Sequence, residues 1–207
     1  MALVKYNNNS ISAITTAGAL ASGGMVLIKE QTASSSSTIS FVDGSSDVVL
    51  DSTYPIYVFK YIEIHPATDD AHFMFQGNAS GGSGYNETIT SSSFRAYHNE
   101  GDSGTSLSYG TGSDQAQGTS FQRLMPFMDN DNDSNGSGEL FLFNPSSTTF
   151  VKHFTSTAQG VYNSAYSWNM FVAGYFNTTS AIDEIQFKMS SGNIDSGTIK
   201  LYGIKDS

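Results

Sequence analysis

The residue types best suited to chemistry are concentrated in one acidic segment, residues 129–138. Its oxygen-bearing side chains recur at alternate positions and precede a glycine: Asp129, Asp131, Asp133, Asn135 and Gly136. Oxygen ligands at that spacing can converge on one calcium ion, and the glycine permits the sharp turn of a calcium loop. The same pattern needs a glutamate six residues after the glycine, where this chain has Leu142. Two alternatives stay open, a calcium site with no other cofactor and a solvated surface loop.

Aromatic side chains provide a second candidate site. Flat rings stack on sugars and anchor protein contacts. Five of them are predicted to lie in or beside loops: Trp168, Tyr162, Tyr166, Tyr85 and Tyr109. They are candidate ligand-binding residues for a sugar. The alternative is that Trp168 belongs to the core and the tyrosines cap loops.

No catalytic constellation emerges from the remaining residues. The four histidines, His65, His72, His98 and His153, lack the spacing of a metal-binding pair. The sequence has no serine nucleophile elbow, no H-E-x-x-H helix and no phosphate-binding loop. It also has no cysteine, which excludes thiolate catalysis, disulfides and zinc-thiolate sites. We therefore predict that the protein is not an enzyme and has no catalytic residues.

Charge and hydropathy limit the partners. The net charge of −10 argues against nucleic-acid binding, which needs basic side chains to neutralise phosphates. No stretch approaches the roughly 18 consecutive apolar residues of a membrane-spanning helix, so no membrane insertion is expected.

The elements that must position these candidates are strands. In the stretch 181–189, Ile185, Phe187 and Met189 alternate with Gln186 and Lys188, a period of two that buries one face. Similar stretches recur between turn signals every ten to fifteen residues, in a chain with 13% aromatic and only 14% charged residues. The pattern predicts an all-β fold of about ten strands, an antiparallel sandwich or barrel. Of these two, we expect an antiparallel β-sandwich that is jelly-roll-like.

Several strand pairs are expected between neighbouring segments. They are 25–31 with 37–42, 54–64 with 71–77, 139–143 with 149–155, and 181–189 with 198–205. The segment 54–64 is apolar on both faces, as in a strand inside a two-layer structure. The apolar cluster at 121–128 leaves helix and strand open.

Within residues 1–23, the stretch 3–6 could make a short strand, whereas Ile11, Ile14 and Leu20 fit neither the helical nor the strand period. We interpret them as an N-terminal arm for attachment or oligomerisation, and a disordered leader is the alternative. Residues 24–207 are predicted to form the β-sandwich domain.

Three phrases resemble structural proteins of tailed bacteriophages, especially phages of marine cyanobacteria. The first consists of the strand-rich stretches at 25–41 and 51–68 taken together. The second is the segment Glu-Leu-Phe-Leu-Phe-Asn-Pro-Ser-Ser-Thr at 139–148, and the third is the terminal segment at 191–205. The resemblance implies a virion component, such as a tail fibre, tail appendage or other surface protein, made in the bacterial cytoplasm and exposed on the particle.

A virion role implies other virion proteins as partners, and we expect a homo-oligomer, a trimer, that contributes to host attachment. Two alternative functions are a capsid decoration (cement) protein and a carbohydrate-binding module that recognises host polysaccharide.

Overall fold

The computed structural model describes residues 24–162 and 165–205. This part of the chain is all-β and contains no helix, which confirms the predicted fold class. Its strands are β1 (Met25–Ser36), β2 (Ile39–Val42), β3 (Ile56–Pro66), β4 (Ala71–Ala79), β5 (Ile89–Asn99), β6 (Thr105–Tyr109), β7 (Gln115–Gly118), β8 (Gln122–Met128), β9 (Gly136–Phe143), β10 (Lys152–Tyr162), β11 (Tyr166–Phe176), β12 (Ile182–Met189) and β13 (Ile194–Ile204).

The thirteen strands outnumber the predicted ten or so for identifiable reasons. The apolar cluster at 121–128 forms β8, and the segment around Leu107 forms β6. Strand β7 has the sequence Gln-Ala-Gln-Gly, which has too few apolar residues to show alternation. The predicted arm, residues 1–23, lies outside the described residues.

The strand pairing is nested. Strand β1 pairs with β13, β2 with β12, β3 with β9 and β4 with β8, all antiparallel. Three of the expected neighbouring pairs are therefore wrong, because β1 and β2, β3 and β4, and β12 and β13 are not hydrogen-bonded neighbours. The expected pairing of 139–143 with 149–155 is confirmed, since Phe154 lies opposite Leu142 in the ladder of β9 and β10.

All thirteen strands belong to one antiparallel sheet with a weak point. One part runs β1-β13-β3-β9-β10-β11-β5, with β6 and β7 both paired to β5. The other part runs β8-β4-β12-β2 and joins the first through a single bridge, between Met128 and Tyr162. At the opposite edges, Gln31 Nε2 of β1 donates to Ser40 O of β2 at 2.7 Å, so the sheet curls until its edges nearly meet.

The core lies between these two parts. The Phe75 ring of β4 packs edge-on against Phe154 of β10 at 5.0 Å and against Phe176 of β11 at 6.0 Å. The Phe187 ring of β12 lies 5.4 Å from Phe59 of β3. All five rings are almost completely buried, and each contributes on the order of 2 kcal/mol by leaving water.

Strand β3 shows how the alternation fixes faces. Tyr57, Phe59 and Tyr61 are fully buried in the core, as the period of two predicts. Val58 points the other way, does not belong to the core cluster, and is also fully buried. The prediction of a strand that is apolar on both faces is confirmed.

Candidate functional site

The acidic loop joins β8 to β9, and its first carboxylate shapes the loop. Asp129 Oδ1 accepts a hydrogen bond from the Asp131 backbone N–H at 3.0 Å. Asp129 Oδ2 accepts from Ser134 Oγ at 3.2 Å, and the Ser134 N–H donates to Asp131 O at 2.8 Å. Both oxygens of Asp129 are therefore used within the loop.

The other predicted calcium ligands, Asp131, Asp133 and Asn135, have exposed side chains. Among residues 24–162 and 165–205, no three His, Cys, Asp or Glu side chains come together in a way that suits a metal ion. The calcium site therefore stays a prediction from sequence, and no chemistry is derived from it.

The structure brings three of the five predicted aromatic residues together. Tyr162 ends β10 and Tyr166 begins β11, so they lie on strands rather than in a loop, opposite each other in the ladder. Trp168 follows on the same face, and the Tyr162 ring stacks on it at 4.7 Å. Tyr97 of β5 lies opposite Trp168 and stacks on it at 5.4 Å. These four residues form what we call the aromatic cluster.

Trp168 is enclosed by its neighbours. Its side chain is 8% exposed, and the Arg95 guanidinium carbon lies 4.6 Å from the centre of its ring. A sugar could not stack on Trp168 without displacing Tyr97, Tyr162 or Arg95. The indole Nε1 of Trp168 and Nε of Arg95 are buried and have no hydrogen-bond partner in the described part of the chain.

The aromatic cluster continues onto the other part of the sheet. The Tyr162 ring packs edge-on against Phe127 of β8 at 5.6 Å, and the Phe127 ring lies 4.7 Å from His72 of β4. Burial raises the pKa of Tyr162, mainly by removing its hydroxyl from water. Burial, with a smaller contribution from Arg123, lowers the pKa of His72 to about 4.

Tyr85 and Tyr109 lie elsewhere. The Tyr85 ring is 6.5 Å from Phe121, and burial raises its pKa. Tyr109 lies on β6, is 53% exposed, and donates from its hydroxyl to Asp114 Oδ2 at 2.9 Å. That hydrogen bond is the main cause of the raised pKa of Tyr109. The five predicted residues therefore do not form one site.

Sequence reasoning missed an exposed apolar group on the outer side of the sheet, opposite the core. Phe94 of β5 is 47% exposed and stacks on Phe171 of β11 at 4.6 Å. Tyr109 lies opposite Phe94 in the ladder, and Leu107 beside it is 74% exposed. We call Phe94, Leu107, Tyr109 and Phe171 the distal patch. Alternation predicted these strands but could not show that their second face is left uncovered.

Lys152 is the fully buried cation of the described residues, and its role is structural. Its Nζ donates to Phe150 O at 3.0 Å and to Thr178 O at 3.1 Å. Removal from water lowers its pKa, while Glu87 partly opposes that effect. The side chain ties the start of β10 to the turn between β11 and β12.

Among the described residues, no histidine belongs to a group of three His, Cys, Asp or Glu side chains that could hold a metal ion. His72 lies beside Phe127, and the exposed His98 contacts Asp102 at 3.2 Å. The His153 ring lies 5.8 Å from Tyr175. One surface groove is lined by Ser52, Thr53, Tyr54, Pro55, Asn144 and Lys205, and it contains neither a carboxylate nor a histidine.

Comparison with protein families, curated proteins and solved structures found no match for this chain. Within the described residues, no helix is long and apolar enough to cross a membrane.

Proposed function

We propose that this chain is a non-enzymatic structural protein of a tailed-phage virion, a tail fibre, tail appendage or other surface component that contributes to host attachment. The observation that carries the proposal is the distal patch. Large apolar side chains that stay exposed on a soluble domain mark a surface for assembly. A protein that works by assembly needs such a surface and needs no cleft with convergent titratable groups.

The finer fold prediction belongs to the same proposal. A jelly roll arises when one long antiparallel hairpin of eight strands rolls up, so that first pairs with last and second with second-last. The nested pairs β1·β13, β2·β12, β3·β9 and β4·β8 support a jelly-roll-like sandwich. In that arrangement β5, β6 and β7, together with β10 and β11, are insertions that widen one layer.

The distal patch is the proposed homo-oligomer interface, and a trimer is the expected state. Aromatic residues are enriched at the centres of such interfaces. Two copies with a charge of −10 each repel, so they meet through a face whose contacts are apolar.

Sedimentation equilibrium tests this interface. The double variant Phe94→Ser/Leu107→Ser should be monomeric at concentrations where the unaltered protein is a trimer. The control is Phe150→Ser, because Phe150 is 69% exposed but lies outside the distal patch, and it should remain trimeric. A monomeric unaltered protein would contradict the interface.

Cryo-electron microscopy of purified particles tests the virion role itself. Density for the chain on the tail supports the tail assignment, and density spread over the capsid identifies the alternative decoration protein. Particles without the chain would overturn both.

A glycan-binding module is the second candidate function, supported by the partial exposure of Tyr162 and Tyr166. It requires sugars to bind at the tyrosine edges rather than on Trp168. A glycan array should show binding that Tyr166→Ala abolishes and Tyr109→Ala preserves. An array without any binding removes this candidate.

A further inference from the structure

A second apolar surface lies on the outer side of β1, β13, β3 and β9. Two rows of side chains cross these strands in register. One row is Met25, Ile204, Ile56 and Phe143, and the other is Leu27, Tyr202, Val58 and Phe141. Cross-strand partners in an antiparallel ladder point to the same face, so these residues form one continuous surface. We call it the basal patch.

The basal patch is apolar and partly open. Met25 is 40% exposed and Leu27 is 50% exposed, at the edge strand of the sheet. Val58 in the middle is 0% exposed, although it is separate from the core cluster. The Phe141 and Phe143 rings stack at 6.4 Å. A continuous surface of this kind marks a binding site.

The charged residues beside the basal patch neutralise one another. The next row across the same strands is Glu30, Lys200, Lys60 and Glu139. Lys200 Nζ lies 2.9 Å from Glu30 Oε2, and Lys60 Nζ lies 3.4 Å from Glu139 Oε2. The border therefore offers no net charge, and an apolar occupant with few charges suits it best.

We propose that residues 1–23 of the same chain occupy the basal patch. The described chain starts at Gly24, one residue before Met25 at the corner of the patch. The Lys205 N–H donates to Gly24 O at 3.2 Å and so fixes the point where the segment departs. A side chain at Gly24 would meet nothing within 4 Å, so the chain is not enclosed at this position.

The composition and length of the segment match the patch. It carries the apolar residues Leu3, Val4, Ile11, Ile14 and Leu20, and its single charged side chain is Lys5. Extended, 23 residues reach about 75 Å, whereas four neighbouring strands are about 15 Å across. The segment is therefore long enough to cross the whole patch.

Tethering favours the segment of the same chain over that of a second copy. A covalently attached segment is present at an effective concentration in the millimolar range, far above that of free protein in solution. The sequence has two glycines, Gly23 and Gly24, directly before β1, and glycine is the residue type that most readily permits a chain reversal. This inference is independent of the virion role and of the distal patch.

Thiol labelling tests the docking, because the chain has no cysteine of its own. Leu27→Cys reports on the basal patch, and Phe150→Cys is the exposed reference, because Phe150 is 69% exposed and lies outside both patches. In the full-length protein, maleimide should react with Leu27→Cys about tenfold more slowly than with Phe150→Cys. Equal rates would overturn the proposal.

Two full-length variants show which part of the chain gives the protection. Adding Ile11→Asp, Ile14→Asp and Leu20→Asp should raise the Leu27→Cys rate about tenfold. The charge-matched control, Asn7→Asp, Asn8→Asp and Asn9→Asp, should leave it unchanged. Unchanged Trp168 fluorescence verifies the fold of each variant. The comparison of Leu27→Cys with Phe150→Cys needs none of the aspartate substitutions, so it tests the docking even if those variants fail to fold. Protection that disappears on dilution means a second copy's segment and overturns same-chain docking.

Discussion

The backbone N–H of Phe127 donates a hydrogen bond to Nδ1 of His72 at 2.9 Å, and the two rings meet edge to face at 4.7 Å. Phe127 has a φ of +54°, in the left-handed region that costs a bulky residue energy. A neutral His72 with its proton on Nε2 is the acceptor that this backbone conformation uses. Protonation of Nδ1 would remove the acceptor and place a charge beside Arg123.

We expect His72 to make stability fall as the solution is acidified. Its pKa is about 4 in the folded protein and about 6.5 when unfolded, so the unfolded chain binds the proton first. Its stabilising contribution is complete above pH 6.5 and is lost as the pH falls towards 4. Because the side chain is only half-buried, we expect a loss of about 1 kcal/mol.

Urea unfolding between pH 7 and pH 4 measures this effect. The variant His72→Asn keeps an acceptor near the Nδ1 position but cannot be protonated, so its pH dependence should be shallower. The exposed His153→Asn serves as control and should follow the unaltered protein. Identical slopes for His72→Asn and the unaltered protein would show that His72 does not contribute.

Trp168 should behave as a core residue. Trp168→Ala removes a ring that is 8% exposed and should lower the free energy of unfolding by about 3 kcal/mol. Because it is the single tryptophan, its emission in the unaltered protein should be blue-shifted and resist quenching by acrylamide. Strong quenching, or quenching relieved by added sugar, would instead place the indole at an open binding surface.

Gly138 should tolerate no side chain. A Cβ there would lie 2.6 Å from the Tyr61 ring and 2.8 Å from Ala158 Cα, and it would also collide with Thr157 O. Gly138→Ala should therefore destabilise the protein by about 2–3 kcal/mol through overpacking. At Gly101, a Cβ would meet only side-chain atoms at 3.8 Å, so the control Gly101→Ala should change the melting temperature little. A Gly138→Ala protein as stable as the control would contradict the packing.

Tyr61 and Ser156 should be energetically coupled. Their hydroxyls are buried and 2.7 Å apart, and burial raises the pKa of Tyr61. Tyr61→Phe and Ser156→Ala should each cost about 1–2 kcal/mol, because each leaves the other hydroxyl without this partner. In urea unfolding, the double variant should cost about 1 kcal/mol less than the two changes added together. Additive losses would show that the hydroxyls do not interact.

The period of two predicted which side of a strand is buried. Ile185 and Phe187 are both 0% exposed, as their alternation with Gln186 and Lys188 requires. Alternation identifies which face of a strand is buried but not which strand lies beside it, because any two strands with an apolar face could pair and bury those faces together. The short link between β1 and β2 indicated a hairpin, yet each pairs with a strand near the far end of the chain.

The aromatic cluster was predictable only where neighbours in sequence are neighbours in space. Tyr162, Tyr166 and Trp168 come together because β10 and β11 pair directly. Tyr97 and Arg95 lie on β5, which pairs with β11, and no local feature of the sequence predicts that pairing. The burial of Trp168 follows from that ladder, which is why sequence left its role open.

Nested pairing also sets the order of events during synthesis. Strand β1 is made before the other twelve strands, yet Met25 pairs with Ile204 of β13, which is made after all of them. Strand β2 waits in the same way for β12. Contacts between such distant parts of a chain make folding slow and leave apolar strands uncovered meanwhile. The early strands β1 and β2 are therefore expected to remain open to aggregation until β12 and β13 have been made.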